Sequence, residues 1–536
     1  MDLGKAIKLA IENVYKEGLT DIFVRPYEVD LLKNDLFTKD IAKEIKSRIE
    51  GNSLQSLKIR PLHHVLFPKK EPFDFRRAAL IHPIDTITYL ALVLSITDEI
   101  EKARVPLSQN RVFSYRFRPG NGILFDSRYN FTSFNNSISE KCNNRRNKIL
   151  IKSDVANYYD RINLHRLEST LLGIPSINRT RIKIINELLL FWANRDSYGL
   201  PIGGNASRIL AEAALLSIDE YLLSHKINFC RFVDDYRFFA PDTKTAHMWL
   251  TLFIERLFLE GLFINPSKTS LEEIGNRSSV DLKSAKELKT TTLNRTGINR
   301  LIVGYTGTVP TKFRELSNRE IQELQKENIE ELIQDLLDKK INSPKDIRKF
   351  LRVLVAKQSY IKLEMIPEIL DRFPQFTPII VDLVIKKFKE IPPGVHGKIQ
   401  DFFIPKLKES ENIPEYILVV IVRLLGVEGY KIKDPLMDLF RKLRRNAGFY
   451  IGRCIIDGLI GIIGRNDAIE IRSYFNRADL WEQRAIIRLV DQILPEEEKR
   501  PWLKNVKTHM REDLFAIELF DSTKPPQKKK VNGRKV

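Results

Sequence analysis

The segment CRFVDDYRFFA, residues 230–240, sets Asp234 and Asp235 side by side within a run of apolar and aromatic residues. Adjacent carboxylates in a strand-like stretch are costly unless they fall at a hairpin turn or hold cations. A tight turn alone would account for the pair. A second strand-like segment, ILIKSDVANYYD, residues 149–160, carries another carboxylate, Asp154, at the end of its apolar part. Three convergent carboxylates suit a pair of magnesium ions, because Mg2+ takes hard oxygen ligands and keeps substrate phosphates in its shell. Two such ions about 4 Å apart can activate an attacking 3′-hydroxyl and stabilise departing pyrophosphate, which is polymerase chemistry. It needs neither histidine nor cysteine, and the chain has only 8 and 3 of them.

The charge agrees with a polyanionic partner. The 88 Lys and Arg against 69 Asp and Glu give a net charge of +19, which attracts nucleic acid over long range. Cys142, Cys230 and Cys454 are far apart and lack paired spacing, so neither a disulfide framework nor a zinc knuckle is expected, and a reducing cytoplasm fits. The first residues, MDLGKAIKLAIENVYKEG, alternate apolar and charged positions at helical spacing, unlike a secretion signal. The longest apolar run, Tyr416 to Val422, is too short to cross a bilayer. A soluble protein with no membrane partner is the expectation.

At 536 residues the chain should form two or more domains. Residues 1–310 interleave helical periodicity with short β-rich runs and read as α/β or α+β. Residues 311–520 lose the β signal and read as all-helical, with Ile417, Ile421, Leu424 and Leu425 at the spacing of one buried helix face. Ser343-Pro344, Thr377-Pro378 and Asp434-Pro435 each read as a cap followed by proline at the first helical position. Such short helices fit a HEAT-like stacked array, with a compact bundle as the alternative, since no fixed sequence period is found. Arg441, Lys442, Arg444 and Arg445 form a basic cluster, readable as a phosphate-contacting patch or as a solvated helix face. Residues 521–536 are Lys- and Pro-rich and should form a basic disordered tail.

These motifs resemble the reverse transcriptases, whose palm has one aspartate on a strand and an aromatic-X-Asp-Asp turn on a hairpin. The resemblance covers roughly residues 20–310. Phe67-Pro68-Lys69 with Phe75-Arg76-Arg77 is similar to the finger segment that holds the incoming triphosphate. Ser114–Gly120, SYRFRPG, resembles the segment before the palm. Gly199–Arg208, GLPIGGNASR, resembles the glycine-rich segment beneath primer-template and nucleotide, and Asn265–Thr269, NPSKT, the later palm motif with a lysine near the triphosphate. The resemblance implies fingers and palm followed by an all-α repeat domain. It implies Asp154, Asp234 and Asp235 as catalytic residues. With Val155 they make the metal set for two Mg2+ ions, or Mn2+. Lys69, Arg76, Tyr159, Gly203 and Lys268 would contact the nucleotide. Tyr159 stands where the family places a bulky ring under the sugar, so deoxynucleotides are the expected substrate and DNA the product.

Two departures bear on template use. Ile202 and Arg208 stand where many templated members have Gln and Pro. A palm followed by a long helical domain resembles the bacterial antiphage, or abortive-infection, reverse transcriptases. That group implies a cytoplasmic homo-oligomer that extends DNA from a protein side chain, works without a template, or copies a noncoding RNA. Two other readings stand beside it: an RNA-synthesising polymerase sharing the metal site, and a degenerate palm kept as a nucleic-acid-binding scaffold.

Overall fold

The structure is a computed structural model that describes residues 1–68, 75–194, 196–274, 313, 315–338, 344–443 and 450–522. The described parts of Met1–His63 and Ala79–Arg300 form one unit, and those of His64–Ala78 and Leu301–Val536 the other. The expected boundary near residue 310 lies outside the described residues; of the tail expected from residue 521, Asp521 and Ser522 end the helix Leu514–Ser522 and the rest lies outside the described residues.

Eight strands are described. β1 (His63–Pro68) pairs with β2 (Phe75–Leu80), and β3 (Phe117–Gly120) with β4 (Ile123–Phe125). β5 (Ile149–Asp154), β6 (Phe229–Phe232), β7 (Asp235–Ala240) and β8 (Ser270–Glu273) form an antiparallel sheet in the order β6-β7-β5-β8. β5 and β7 are its inner strands, so their apolar residues are buried in near-continuous runs. Alternation still sorts the faces of β7. Tyr236 and Phe238 pack on Phe253 of the helix Thr243–Leu259, with ring centroids 4.6 and 5.1 Å away. Phe239 joins Phe134 of the helix Phe131–Asn143, together with Phe113, Leu150 and Cys230, in the other cluster. The three cysteines are free thiols.

In the second unit every described element after residue 315 is helical. Thr377–Lys386 packs on Glu415–Leu425, that helix on Tyr450–Leu459, then on Leu480–Ile493 and on Leu514–Ser522, so apolar faces meet between alternate elements. Ile417, Ile421, Leu424 and Leu425 are all buried, as their spacing predicts. Polar links recur at a nearly constant sequence offset. Lys398 pairs with Glu364, Lys442 donates to the Lys408 carbonyl and Lys433 pairs with Asp467, each 34 residues apart, and Arg465 pairs with Glu498 33 residues away.

Two of the expected helix starts differ. Thr377 is the first residue of its helix rather than its cap. A 3-10 turn, Pro374–Phe376, runs straight into that helix, and the Thr377 hydroxyl donates back to the Pro374 carbonyl at 2.6 Å. Asp434 lies within the first turn of a helix that begins at Lys433, where a carboxylate complements the positive N-terminal end of the helix dipole. Pro344 opens the helix Pro344–Ala356 as expected, and its expected cap Ser343 lies outside the described residues. Within the basic cluster, Arg441 is engaged by Glu470 at 2.9 Å and Lys442 by Lys408, while Arg444 and Arg445 lie outside the described residues.

Candidate active site

Asp154 ends β5 and Asp235 opens β7, and the two are direct cross-strand partners. Phe232 of β6 pairs with Asp235, so Val233 and Asp234 make a two-residue hairpin turn. Asp234 thereby lies beside the Asp154–Asp235 pair. Val233 has φ +55, a left-handed conformation in which a β-branched side chain costs about 1–3 kcal/mol.

Buried polar groups hold that turn. Ser114 Oγ accepts from the Val233 N–H at 3.0 Å, an Arg231 guanidinium N–H donates to the Val233 carbonyl at 3.3 Å, and the Val155 N–H donates to the Asp234 carbonyl at 3.1 Å. Arg231 is fully buried and forms ion pairs with Asp219 at 2.6 Å and Glu212 at 2.8 Å. Glu212 also accepts from Arg104 at 2.6 Å and from the Ser114 hydroxyl. This shared network places the SYRFRPG serine, the helix Asn205–Ala214 and the hairpin in one frame.

The carboxylates load the site with negative charge. Burial, and then the charges of Asp235 and Asp154, push the Asp234 carboxyl up to about 8. Lys268, in the turn Pro266–Lys268, reaches Asp154 Oδ2 at 2.8 Å, and the Asn265 N–H donates to the Asp154 carbonyl at 2.7 Å. Burial would lower Lys268, but the Asp154 hydrogen bond and the three aspartate charges outweigh it and raise its pKa. Hard oxygen donors of this kind suit a divalent cation, although Lys268 pairs with Asp154 and Arg237 lies 3.8 Å from Asp235. Among the described residues no group of three or more Asp, Glu, His or Cys side chains is gathered closely enough to hold a metal ion.

The remaining expected site residues are distributed unevenly. Tyr158 and Tyr159 are both buried with rings 5.7 Å apart, and the Tyr158 hydroxyl donates to the Ala211 carbonyl. Burial, and then the Tyr115 charge, raise the Tyr159 hydroxyl well above the usual phenol range, against a lowering by Arg208. Gly203 has φ +124, and a Cβ there would strike the Thr20 hydroxyl, so it sits beneath the segment that follows the first helix. Arg208 pairs with Asp21 at 2.7 Å and lies over the Tyr115 ring at 5.4 Å. Ile202 is buried, and its carbonyl accepts from Ala79 at 3.1 Å. Arg76 lies on β2 in the second unit, and Lys69 is outside the described residues. Asp154, Asp234, Asp235 and Lys268 are thus brought together.

The supporting residues Ser114, Arg231, Glu212 and Asp219 were not foreseen. Charged residues at apolar positions of a strand and a helix, Arg231 and Glu212, were the available signal.

Residues 69–302 match the family model described as reverse transcriptase (RNA-dependent DNA polymerase). They are a reverse-transcriptase domain. The fold is accordingly a fingers and palm of that type, mixed α and β, followed by a helical region. Solved structures with similarity include apo telomerase from Candida tropicalis, at 14% identity over 72% of this chain and 73% of that chain, TM-score 0.32. Another is telomerase from Candida albicans in complex with a TWJ fragment of telomeric RNA, at 13% identity over 87% and 71%, TM-score 0.28. No curated protein matches. No described helix is long and apolar enough to cross a membrane.

Proposed function

We propose that the reverse-transcriptase domain is an active DNA-synthesising nucleotidyltransferase whose catalytic residues are Asp154, Asp234 and Asp235. The observation that carries this reading is the cross-strand pair Asp154–Asp235 with Asp234 beside it on a braced turn. These carboxylates, with Val155, would hold Mg2+, or Mn2+; when bound, the ions acidify the attacking 3′-hydroxyl and neutralise charge on the departing pyrophosphate. Lys268 exchanges its Asp154 contact for a triphosphate oxygen. Arg76 and Lys69 bind the triphosphate from the finger segment, Gly203 lets the backbone run close beneath the nucleotide, and Tyr159 excludes a 2′-hydroxyl. The substrates are deoxynucleoside triphosphates and the product is DNA.

The palm with its helical array further supports a role in bacterial antiphage defence as a cytoplasmic homo-oligomer. Its DNA is started from a protein side chain, made without a template, or copied from a noncoding RNA. The test is incorporation of labelled deoxy- and ribonucleotides by the purified full chain with Mg2+, together with sequencing of the nucleic acid that copurifies. Asp234→Asn should lower incorporation at least about a thousandfold while the chain stays folded, because the lost charge acts on the transition state. Equal rates in folded mutant and wild type would sink the site, and preferred ribonucleotide use would point to RNA synthesis. In cells, protection against phage should vanish with Asp234→Asn; a wild-type chain that protects against none removes the defence role.

A further inference from the structure

Arg208, near the start of the helix Asn205–Ala214, is 6% exposed. Its guanidinium is anchored on two sides. One terminal N–H donates to Asp21 at 2.7 Å and the other to the Asn205 side-chain oxygen at 2.6 Å. Asn205 is itself tied to the first helix, Leu3–Glu17, its amide donating to Glu17 at 2.7 Å and to Asn13 at 2.9 Å. Stability alone does not call for a buried pair of this kind, since apolar side chains of similar volume often serve as well. What the pair supplies is a fixed position for the guanidinium.

That position is over an aromatic ring. The guanidinium carbon of Arg208 lies 5.4 Å from the Tyr115 centroid, within cation–π range. Tyr115 has φ +42, a left-handed conformation that is costly for a bulky residue, and the buried Arg104 donates to its carbonyl at 2.9 Å. Strain of this kind persists where the surroundings over-determine it, and it gathers at ligand-holding sites. The Tyr115 ring meets Phe232, the residue before the Val233–Asp234 turn, with centroids 6.3 Å apart. Tyr159 adjoins the same group. After burial, the charges of Tyr115 and Arg208 act most strongly on its hydroxyl, and its carbonyl accepts from the Leu200 N–H at 2.9 Å. All these residues belong to the unit that carries the three aspartates.

We infer that the Asp21–Arg208 pair is a positioning device for sugar selection: Arg208, held by Asp21, backs the Tyr115 and Tyr159 rings and keeps Tyr159 against the sugar of the incoming nucleotide. The inference rests on the proposed role of Tyr159. Asp21 and Arg208 act through the rings, not on the nucleotide. With the guanidinium removed or loosened, the Tyr159 ring gains room to turn aside and a 2′-hydroxyl is admitted. The segment after the first helix thereby takes part in choosing DNA over RNA building blocks.

The test measures kcat/KM for a ribonucleotide and its deoxynucleotide with the full chain. Wild type is compared with Asp21→Asn, Arg208→Lys, Arg208→Met and Tyr159→Ala, and with the double variant Asp21→Asn, Tyr159→Ala. Arg208→Met should shift the ratio about fivefold toward the ribonucleotide and Asp21→Asn about threefold, mostly through the ribonucleotide KM. Arg208→Lys keeps the charge but not the fork of donors, and should fall between wild type and Arg208→Met. In the Tyr159→Ala background Asp21→Asn should add nothing to the ratio, because both changes act on one ring. Asp21→Asn is nearly isosteric and guards against a variant that merely fails to fold. Folded Asp21→Asn and Arg208→Met with the wild-type ratio overturn the inference. So does an Asp21→Asn effect that persists in full beside Tyr159→Ala. If Tyr159→Ala alone leaves the ratio unchanged, both this inference and the proposed role of Tyr159 fall.

Discussion

The two units use charge in different ways. In the reverse-transcriptase domain Arg231, Glu212, Asp219 and Arg104 are each nearly inaccessible and converge on one hairpin turn. In the helical unit the cross-helix pairs Lys398–Glu364, Lys406–Asp371 and Arg465–Glu498 are part-exposed and repeat along the stack. A buried network is strict about geometry, since each member left alone is an uncompensated charge, whereas an exposed pair adds little and tolerates replacement. Buried charge braces the strained hairpin, whereas these exposed pairs link stacked helices; the helical unit also buries charge of its own, as in Arg484–Asp513 at 2.8 Å.

The comparison breaks most easily at Arg231. Arg231→Met should cost about 3–5 kcal/mol by removing the buried ion-pair partner of Asp219, while Glu212 keeps Arg104. Incorporation should fall at least about a hundredfold in molecules that remain folded, because the Val233 turn loses a donor. Arg465→Ala, at an exposed pair of the helical unit, should shift the thermal midpoint by no more than about a degree or two and leave incorporation unchanged. Calorimetry with an incorporation assay on both variants checks this. Similar losses from the two would erase the distinction.

A smaller effect tests a buried charge inside the helical unit. Glu482 is 4% exposed, and burial with the nearby Asp479 charge pushes its carboxyl up to about 7. Its pKa is raised above the unfolded value, so the folded state holds the proton more tightly, and stability falls as pH rises from about 4.5 to 7, then levels off. Glu482→Gln keeps an acceptor for the Asp479 N–H, which Glu482 Oε2 now bonds at 3.0 Å. It should raise stability at pH 8 by about 2 kcal/mol and leave it nearly unchanged at pH 4. A gain of the same size at both pH values would mean that ionisation is not the cause.

What could be read from the sequence follows the range of the interaction. The SDV and FVDD segments carry their strand periods and their turn within a few residues, and the structure places Asp154, Asp234 and Asp235 at the strand ends and turn expected. The apolar face of Glu415–Leu425 was visible for the same reason. The Arg104–Glu212 pair spans 108 residues, and the Asp21–Arg208 pair 187, so no local pattern announces them. The offset near 34 residues between linked helices was hidden because its members differ in type, Lys to Glu in one place and Lys to a backbone carbonyl in the next. Thr377 misled because Ser and Thr cap helices that start from extended chain, and here a 3-10 turn supplies the start.

The finest test asks whether burial beside the hairpin serves the reaction or only the packing. Tyr158 and Tyr159 are adjacent, both buried, and differ in what they face: Tyr158 spends its hydroxyl on the Ala211 carbonyl, while Tyr159 neighbours Tyr115 and Arg208. If Tyr159 lies under the sugar, Tyr159→Ala should raise the kcat/KM for ribonucleotides relative to deoxynucleotides about tenfold, roughly 1.4 kcal/mol of discrimination, since room for one hydroxyl is all that changes. Tyr158→Phe should cost stability through the lost Ala211 bond and leave that ratio alone. Both variants must be measured at a temperature where each is folded, because a Tyr→Ala change in a core opens a cavity whatever its role. A ratio unchanged in Tyr159→Ala, with stability lost, would make Tyr159 a packing residue like its neighbour. Sugar selection would then have to come from elsewhere in the palm, and RNA synthesis would return as the competing activity of the domain.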